Sequence, residues 1–389
     1  MTKRKATEQN EQLPVKKPIK VPVESSISIC IPSNAISSKN AYNLEQKTMI
    51  AYQIAKACLI YNVSEIVVLQ SSSSQLNEED KSETINIGNK VVFKEEEKER
   101  EEEVKDRKDL EMKQDGLLLA SLLQFFITPT YLVKTVFSPH LNANFKEIIH
   151  KFKYAYKLPK ITTLPFMQNN QVYRDFKEGI VIPRETPKIK SKKSANSKFK
   201  TKAPHKVTVS KYVNIGEKEP LKLDIAREVP IYSRVTIDLK NKMIISPEKA
   251  YGIAGYRASF GYHVRLVEKD QFNKIFTQSP IEDGYSETIF INCDDYFDKS
   301  SRVLKEMKLY NDREVARGKH ILMILGNYRD IQVSYEADKE KSEVFEGLDN
   351  GMELFDYRMD IPLGCRIEDG VLITLTKLRS EPKVGGAAK

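Results

Sequence analysis

The chain has 389 residues, 40% of them hydrophobic and 30% charged, and 63 Lys and Arg against 54 Asp and Glu leave a formal net charge of +9. That apolar content is enough for a core, the length suits two or three domains, and the cationic surplus points to a polyanionic partner, with RNA or DNA the default candidate. Cys30, Cys58, Cys293 and Cys365 stand far apart with no CxxC pair, which argues against zinc ribbons and disulfide scaffolds and fits a reducing intracellular compartment.

Residues 1–24 are polar and read as a disordered tail. Lys3, Arg4 and Lys5 are followed ten residues later by Lys16 and Lys17, a spacing that resembles a bipartite nuclear import signal. SISICI (26–31) reads as a strand, LEQKTMIAYQIAKACLI (44–60) as a helix with Ile50, Ile54 and Cys58 on its apolar face, and SEIVVLQ (64–70) as a second buried strand. Strand, helix and strand in that order make a βαβ unit and predict a parallel sheet. Residues 71–113 depart from this pattern. Their second half is almost wholly charged, with Glu96–Arg100 and Glu101–Lys105 at i, i+4 spacing, and it reads as a solvated excursion. GLLLASLLQFFI (116–127) is too short to span a bilayer; with the residues up to 137 it predicts two helices split at Pro129.

The composition then shifts. From Thr186 to Gly216 there are nine lysines and no acidic residue. VTVSKYVNI (207–215), LKLDI (221–225), SRVTIDLK (233–240) and KMIIS (242–246) are short and β-branched, as in a small barrel or sandwich. Lys188, Lys190, Lys192, Lys193, Lys198, Lys200 and Lys202 are the candidate RNA contacts, through phosphate neutralisation. After Pro247 the α/β pattern returns. GYHVRLVE (261–268), ETIFIN (287–292) and HILMILG (320–326) read as strands, FDKSSRVLKEMKLY (297–310) and IEDGVLITLTKLRS (367–380) as helices. The carboxyl end of such a strand is where an α/β sheet places its ligand, so Leu325–Gly326–Asn327 and the glycine-bearing DIPLGCRIEDG (360–370) are the candidate ligand loops.

Other chemistries find no support. GxGxxG, GxxxxGK[ST], GxSxG, HExxH and HxE…CxxC are all absent, and the five histidines are scattered; NAD binding, nucleotide hydrolysis, acyl hydrolysis, deamination and metal catalysis lose ground accordingly. His263 and His320, each beside a core strand, read as satisfied edge or core residues.

Taken in order, SISICIPSNAI, YQIAKACLIYNVSEIVV, LLLASLLQFFITPTYLVKTVF, FKEGIV, GYRASFGYHVRL, DGYSETIFIN, HILMILGN and IEDGVLITLTKL resemble the SPOUT-class RNA methyltransferase family of archaea and eukaryotes that carries an inserted OB-like domain. The resemblance covers roughly residues 26–380 apart from the charged insert. It implies an α/β fold whose mostly parallel sheet is tied in a trefoil knot, with an OB-like β-barrel inserted at 179–250. The α/β domain would then comprise 25–178 and 251–380, followed by a tail at 381–389. It further implies S-adenosylmethionine as cofactor, RNA as substrate with precursor ribosomal RNA in a pre-ribosomal particle the expected target, a homodimer or a heterodimer with a paralogue, and a nuclear, nucleolar location with no membrane. By position, the cofactor residues would be Asn292, Leu325, Gly326, Asn327, Ile361, Pro362, Leu363, Gly364, Cys365 and Ile367. No metal is implied. Arg265 and Arg366 are the candidate catalytic cations, which would stabilise a deprotonated base nitrogen. Three departures fall in these loops: Tyr328 where the family has glycine, a compressed PLGCRIEDG, and Cys293–Asp294–Asp295 where a small-polar segment with Glu–Arg is expected. They keep open a second expectation, an inactive member of the family serving as a structural ribosome assembly factor.

Overall fold

The computed structural model describes residues 26–70, 114–139, 145–168, 174–183, 208–252, 260–281, 283–296, 301–310, 319–345 and 347–379. The import-like tail, the charged insert and all seven candidate RNA-binding lysines lie outside them.

In chain order the strands are β1 (Ser26–Pro32), β2 (Glu65–Leu69), β3 (Phe176–Ile182), β4 (Val209–Ser210), β5 (Tyr212–Asn214), β6 (Leu221–Lys222), β7 (Val229–Pro230), β8 (Arg234–Asp238), β9 (Met243–Ile245), β10 (His263–Val267), β11 (Glu287–Asn292), β12 (His320–Gly326) and β13 (Tyr357–Arg358). Four helices matter to the argument: α1 (Leu44–Ile60), α2 (114–126), α3 (Tyr328–Lys339) and α4 (Ile367–Arg379).

Six strands form one parallel sheet in the order β10-β2-β1-β12-β11-β13. The apolar runs of β1, β2, β11 and β12 are buried on both faces, as a parallel sheet covered by helices requires. On one face Ile27, Ile29 and Ile31 pack with Ile54 and Cys58 of α1, Leu119 and Leu122 of α2, and Val371 and Leu375 of α4. On the other, Cys30, Leu322 and Ile324 pack with Ile331 and Tyr335 of α3. α1 begins with a true cap, the Asn43 side chain accepting from the Gln46 N–H.

A second, five-stranded antiparallel sheet has the order β6-β5-β3-β8-β9, with β4 and β7 paired beside it. Val181, Val213, Leu223 and Ile237 form its own small core. The predicted run 207–215 is broken at Lys211, whose ammonium turns away to the Ile225 and Ala226 carbonyls.

Where the two sheets meet lies a buried charge pair. Glu178 is fully buried on β3, and Thr236 and Tyr251 donate to its Oε1 at 2.7 and 3.1 Å. Arg234 Nε stands 3.5 Å from Oε2, and the guanidinium lies between the rings of Phe166 and Phe260. Burial pushes the Glu178 carboxyl up and the Arg234 guanidinium down, in each case against their mutual attraction. No described helix is long and apolar enough to cross a membrane.

Candidate functional site

β1 and β12 are adjacent and parallel, yet the helices that follow them pack on opposite faces of the sheet, α1 on one and α3 on the other. Two connections that diverge from neighbouring strands open a crevice at their carboxyl ends, the usual ligand position in an open α/β sheet. Three segments converge there: 292–296 after β11, 325–328 at the end of β12, and 361–368 before α4.

Long-range hydrogen bonds tie them together. Asn292 accepts from the Tyr328 N–H at 3.3 Å and donates to Asp295 Oδ2 at 2.9 Å. Asn327 caps α3 by accepting from the Arg329 N–H and donates through Nδ2 to the Asp294 carbonyl at 3.2 Å. Asp294 N–H donates to the Cys365 carbonyl at 2.9 Å. Asp294 thus binds both other segments through its backbone, with a φ of 58°, a left-handed conformation uncommon outside glycine, Asn and Asp. Gly364 has a φ of 73°, and a Cβ there would also sit 3.1 Å from the ring of Tyr296. At Gly370 a Cβ would stand 2.7 Å from Cys293 Sγ, so α4 starts in direct contact with the end of β11.

The electrostatics are unusual. Burial, reinforced by Glu368, pushes the Asp294 carboxyl up to about 6, with Arg366 pulling the other way. Burial also raises Glu368 and Asp330; Asp330 is held by the side-chain amide of Asn34. Three carboxylates therefore face the crevice. Arg366 attracts Asp294 and Glu368, its Nε 2.9 Å from Glu368 Oε1 and its Nη2 donating to the Asn40 carbonyl at 3.1 Å, while Lys39 attracts Asp330.

The structure brings ten of the predicted cofactor residues and Arg366 to this one place. Leu325, Gly326 and Ile367 are buried, while Pro362 and Leu363 are exposed. Arg265 is not among them. It sits on edge strand β10, three strands from β12, and its side chain shares the opposite face with Cys30. Its guanidinium is committed to Glu65 at 2.9 Å and to the Lys274 and Ile275 carbonyls. Arg265 thus ties β10 to β2 and to the 274–277 helix, and its side chain faces away from the three segments. Tyr328 does not close the crevice either: its ring packs on the α3 face and its hydroxyl meets Asn350 Nδ2 at 3.4 Å.

Sequence reasoning did not find the bracket made by Asn292 and Asn327, nor the roles of Asp330 and Glu368, because their partners are distant in the chain. The one local signal was Asn327 followed by Asp330, a cap with an acid in the first turn.

A parallel α/β sheet with loops converging at its strand ends, joined to a small antiparallel β unit, defines a two-part α/β protein. The family comparison is more exact: residues 26–378 match the family described as "Putative RNA methyltransferase", and the chain belongs to it. Among similar curated proteins is the Saccharomyces cerevisiae protein named "Putative methyltransferase YMR310C", 28% identical over 358 residues that cover 90% of this chain and 92% of that protein. A second S. cerevisiae relative, "Putative methyltransferase YGR283C", is 29% identical over 91% of this chain and 89% of its own length. The Homo sapiens "28S rRNA (uridine-N(3))-methyltransferase" is 24% identical over 91% of this chain and 78% of its own.

Proposed function

We propose that this protein transfers a methyl group from S-adenosylmethionine to a base nitrogen of ribosomal RNA, with a uridine as acceptor. The observation that carries the reading is the convergence of 292–296, 325–328 and 361–368 at the switch point of the parallel sheet, in a chain of the RNA methyltransferase family. The donor set suits this cofactor, because Asp294, Glu368 and Asp330 complement its sulfonium and ammonium cations. Leu363, 64% exposed on the loop, offers an apolar cover for an adenine ring. The cofactor supplies an electrophilic methyl group; the chain supplies position, which is most of what such a transfer needs. Arg366 lies close enough to this site to steady the negative charge of a deprotonated imide.

The finer architecture belongs to the same proposal. The chain runs from β13, at the outer edge of β11, through 359–366 to α4, which packs on α1. That path across the strand ends supports a trefoil-knotted SPOUT fold, and the antiparallel unit at 176–245 supports an inserted OB-like barrel within the domain bounds given above. Lys188 to Lys202 would grip phosphates. A homodimer or a heterodimer with a paralogue, a pre-ribosomal particle as the setting and a nucleolar location complete the reading.

A second reading, an inactive family member acting as a ribosome assembly factor, draws on one observation: Asp294 N–H bonds the Cys365 carbonyl directly, so the loops engage each other where an adenosine would lie. Incubating the protein with ribosomal RNA and S-adenosylmethionine carrying an isotopically labelled methyl group separates the two. Label recovered in a methylated uridine establishes the first; RNA binding without label supports the second.

A further inference from the structure

Away from the crevice, residues 146–160 form a strongly cationic ridge. Lys146, His150, Lys151, Lys153, Lys157 and Lys160 stand against one carboxylate, Glu147. The local packing explains how the cations come to share a surface. Ile148, Phe152 and Ala155 are buried, and Phe152 packs on Phe125 of α2 and on Phe137, with ring centroids 4.8 Å apart in each pair. Burying those three positions turns their neighbours outward from the short helix Phe145–Lys151 and the turn Ala155–Lys157. Lys146, Lys153, Lys157 and Lys160 are therefore exposed, and Lys151 is half-buried.

Aromatic rings are interleaved with these cations. The Lys153 and Lys157 ammonium groups sit 5.3 and 5.4 Å from the centroid of the Tyr154 ring, a cation–π arrangement. Tyr156 is 50% exposed, and its ring is held edge-on against Phe125 at 4.9 Å. Among the described residues, Lys146, Lys151, Lys153 and Lys157 form no ion pair. Ammonium groups gathered on one ring without a carboxylate between them repel each other and raise the local concentration of anions. A fixed, half-exposed aromatic face beside them gives a base something to stack on. Cations that track a backbone and an aromatic platform for its bases are the two features that single-stranded nucleic acid requires. No large aliphatic side chain is exposed among the described residues of the ridge, which leaves little to enter a lipid bilayer.

The position of the ridge separates it from the methyl-transfer site. α2 starts beside Gln70, at the carboxyl end of β2, and its far end leads to Ile127 against Gly261, just before the amino end of β10. Phe125 lies at that far end, so the ridge rests on the opposite end of the sheet from the crevice. The chain on either side of it reaches the antiparallel unit. The Tyr131 hydroxyl donates to the Glu178 carbonyl at 3.0 Å, Asn214 Nδ2 donates to Thr135 Oγ1 at 2.7 Å, and Phe166 stacks on Arg234.

We propose that this ridge binds a single-stranded stretch of the RNA remote from the acceptor nucleotide, with Lys146, Lys151, Lys153 and Lys157 neutralising phosphates and one base stacked on Tyr156. The inference rests on the RNA methyltransferase reading and adds to it an anchoring surface distinct from the crevice and from Lys188 to Lys202.

The test uses the full chain and a fluorescent single-stranded oligoribonucleotide, with anisotropy titrations over a range of potassium chloride concentrations. Each phosphate contact on a single strand contributes about 0.7 to the slope of log affinity against log salt. Lys151→Gln, Lys153→Gln and Lys157→Gln combined should therefore lower that slope by about 2, with the melting temperature nearly unchanged. Tyr156→Leu keeps an apolar contact with Phe125 but removes the stacking face. It should weaken binding some five- to a hundredfold and leave the slope alone, and Tyr156→Phe should bind as the wild type does. Wild-type slope and affinity in both the lysine variant and Tyr156→Leu overturn the ridge and leave the methyltransferase reading standing. Failure of the wild type to bind any RNA overturns both. If the lysine variant loses binding to polyglutamate or to phosphatidylserine vesicles while its RNA slope stays at the wild-type value, the ridge serves an acidic protein or a membrane and the proposal falls.

Discussion

The joint between the two sheets and the crevice at the strand ends both bury carboxylates, and they treat them differently. At the joint, Glu178 faces a single guanidinium and two hydroxyl donors, and Arg234 is sandwiched by aromatic rings. At the crevice, Asp294 and Glu368 share Arg366, Asp330 faces Asn34 and Lys39, and Asp294 retains a carboxyl raised to about 6. The first arrangement holds two parts of a fold in register. The second sets three carboxyls raised by burial close together at the strand ends, and perturbed groups of this kind cluster at functional sites.

Mutations can break this contrast. The largest effect is expected at the joint: Glu178→Ala strands Arg234 among aromatic rings and should cost about 3–5 kcal/mol by urea unfolding, whereas replacing both partners with apolar residues of similar volume should restore most of the loss. At the crevice, Gly370→Ala drives a methyl group onto Cys293 Sγ at 2.7 Å and should cost about 1–3 kcal/mol by the same measure.

Asp294→Asn should act with the opposite sign. The folded protein binds the Asp294 proton more tightly than the unfolded chain, with a value of about 6 against 3.8. Stability contributed by this group therefore falls as pH rises through that window and stays low above it. Asparagine tolerates the same left-handed backbone. The variant should be more stable than wild type by about 1–2 kcal/mol at neutral pH, after discounting for partial exposure, and the gain should vanish on titration below the window. The smallest effect is expected for Tyr328→Phe, within about 0.5 kcal/mol and with unchanged cofactor affinity, because that ring lies on the far face of the sheet.

Much of the parallel sheet was legible in the sequence because its strands are continuous apolar runs and its first and last helices carry clear apolar stripes. α3 was missed: only Ile331 and Tyr335 of its apolar side chains are buried, too short a stripe to stand out from a charged segment. β13 is two residues long and exists through its pairing with β11. In the site, the loops were visible because glycines end buried runs, and resemblance to the family gave them meaning. Arg265 was misplaced because its partners, Glu65 and the 274–275 carbonyls, are set by tertiary structure. The elevated carboxyl of Asp294 was equally hidden, since it arises from burial against Glu368 across the crevice.

Calorimetric titration of the full chain with S-adenosylmethionine tests the central claim most directly, with Leu363→Asp as the paired variant, chosen because Leu363 is exposed and its loss leaves the fold intact. The account predicts saturable heat for the wild type and affinity weakened about tenfold or more in the variant. A wild type that gives no heat at millimolar cofactor would contradict it.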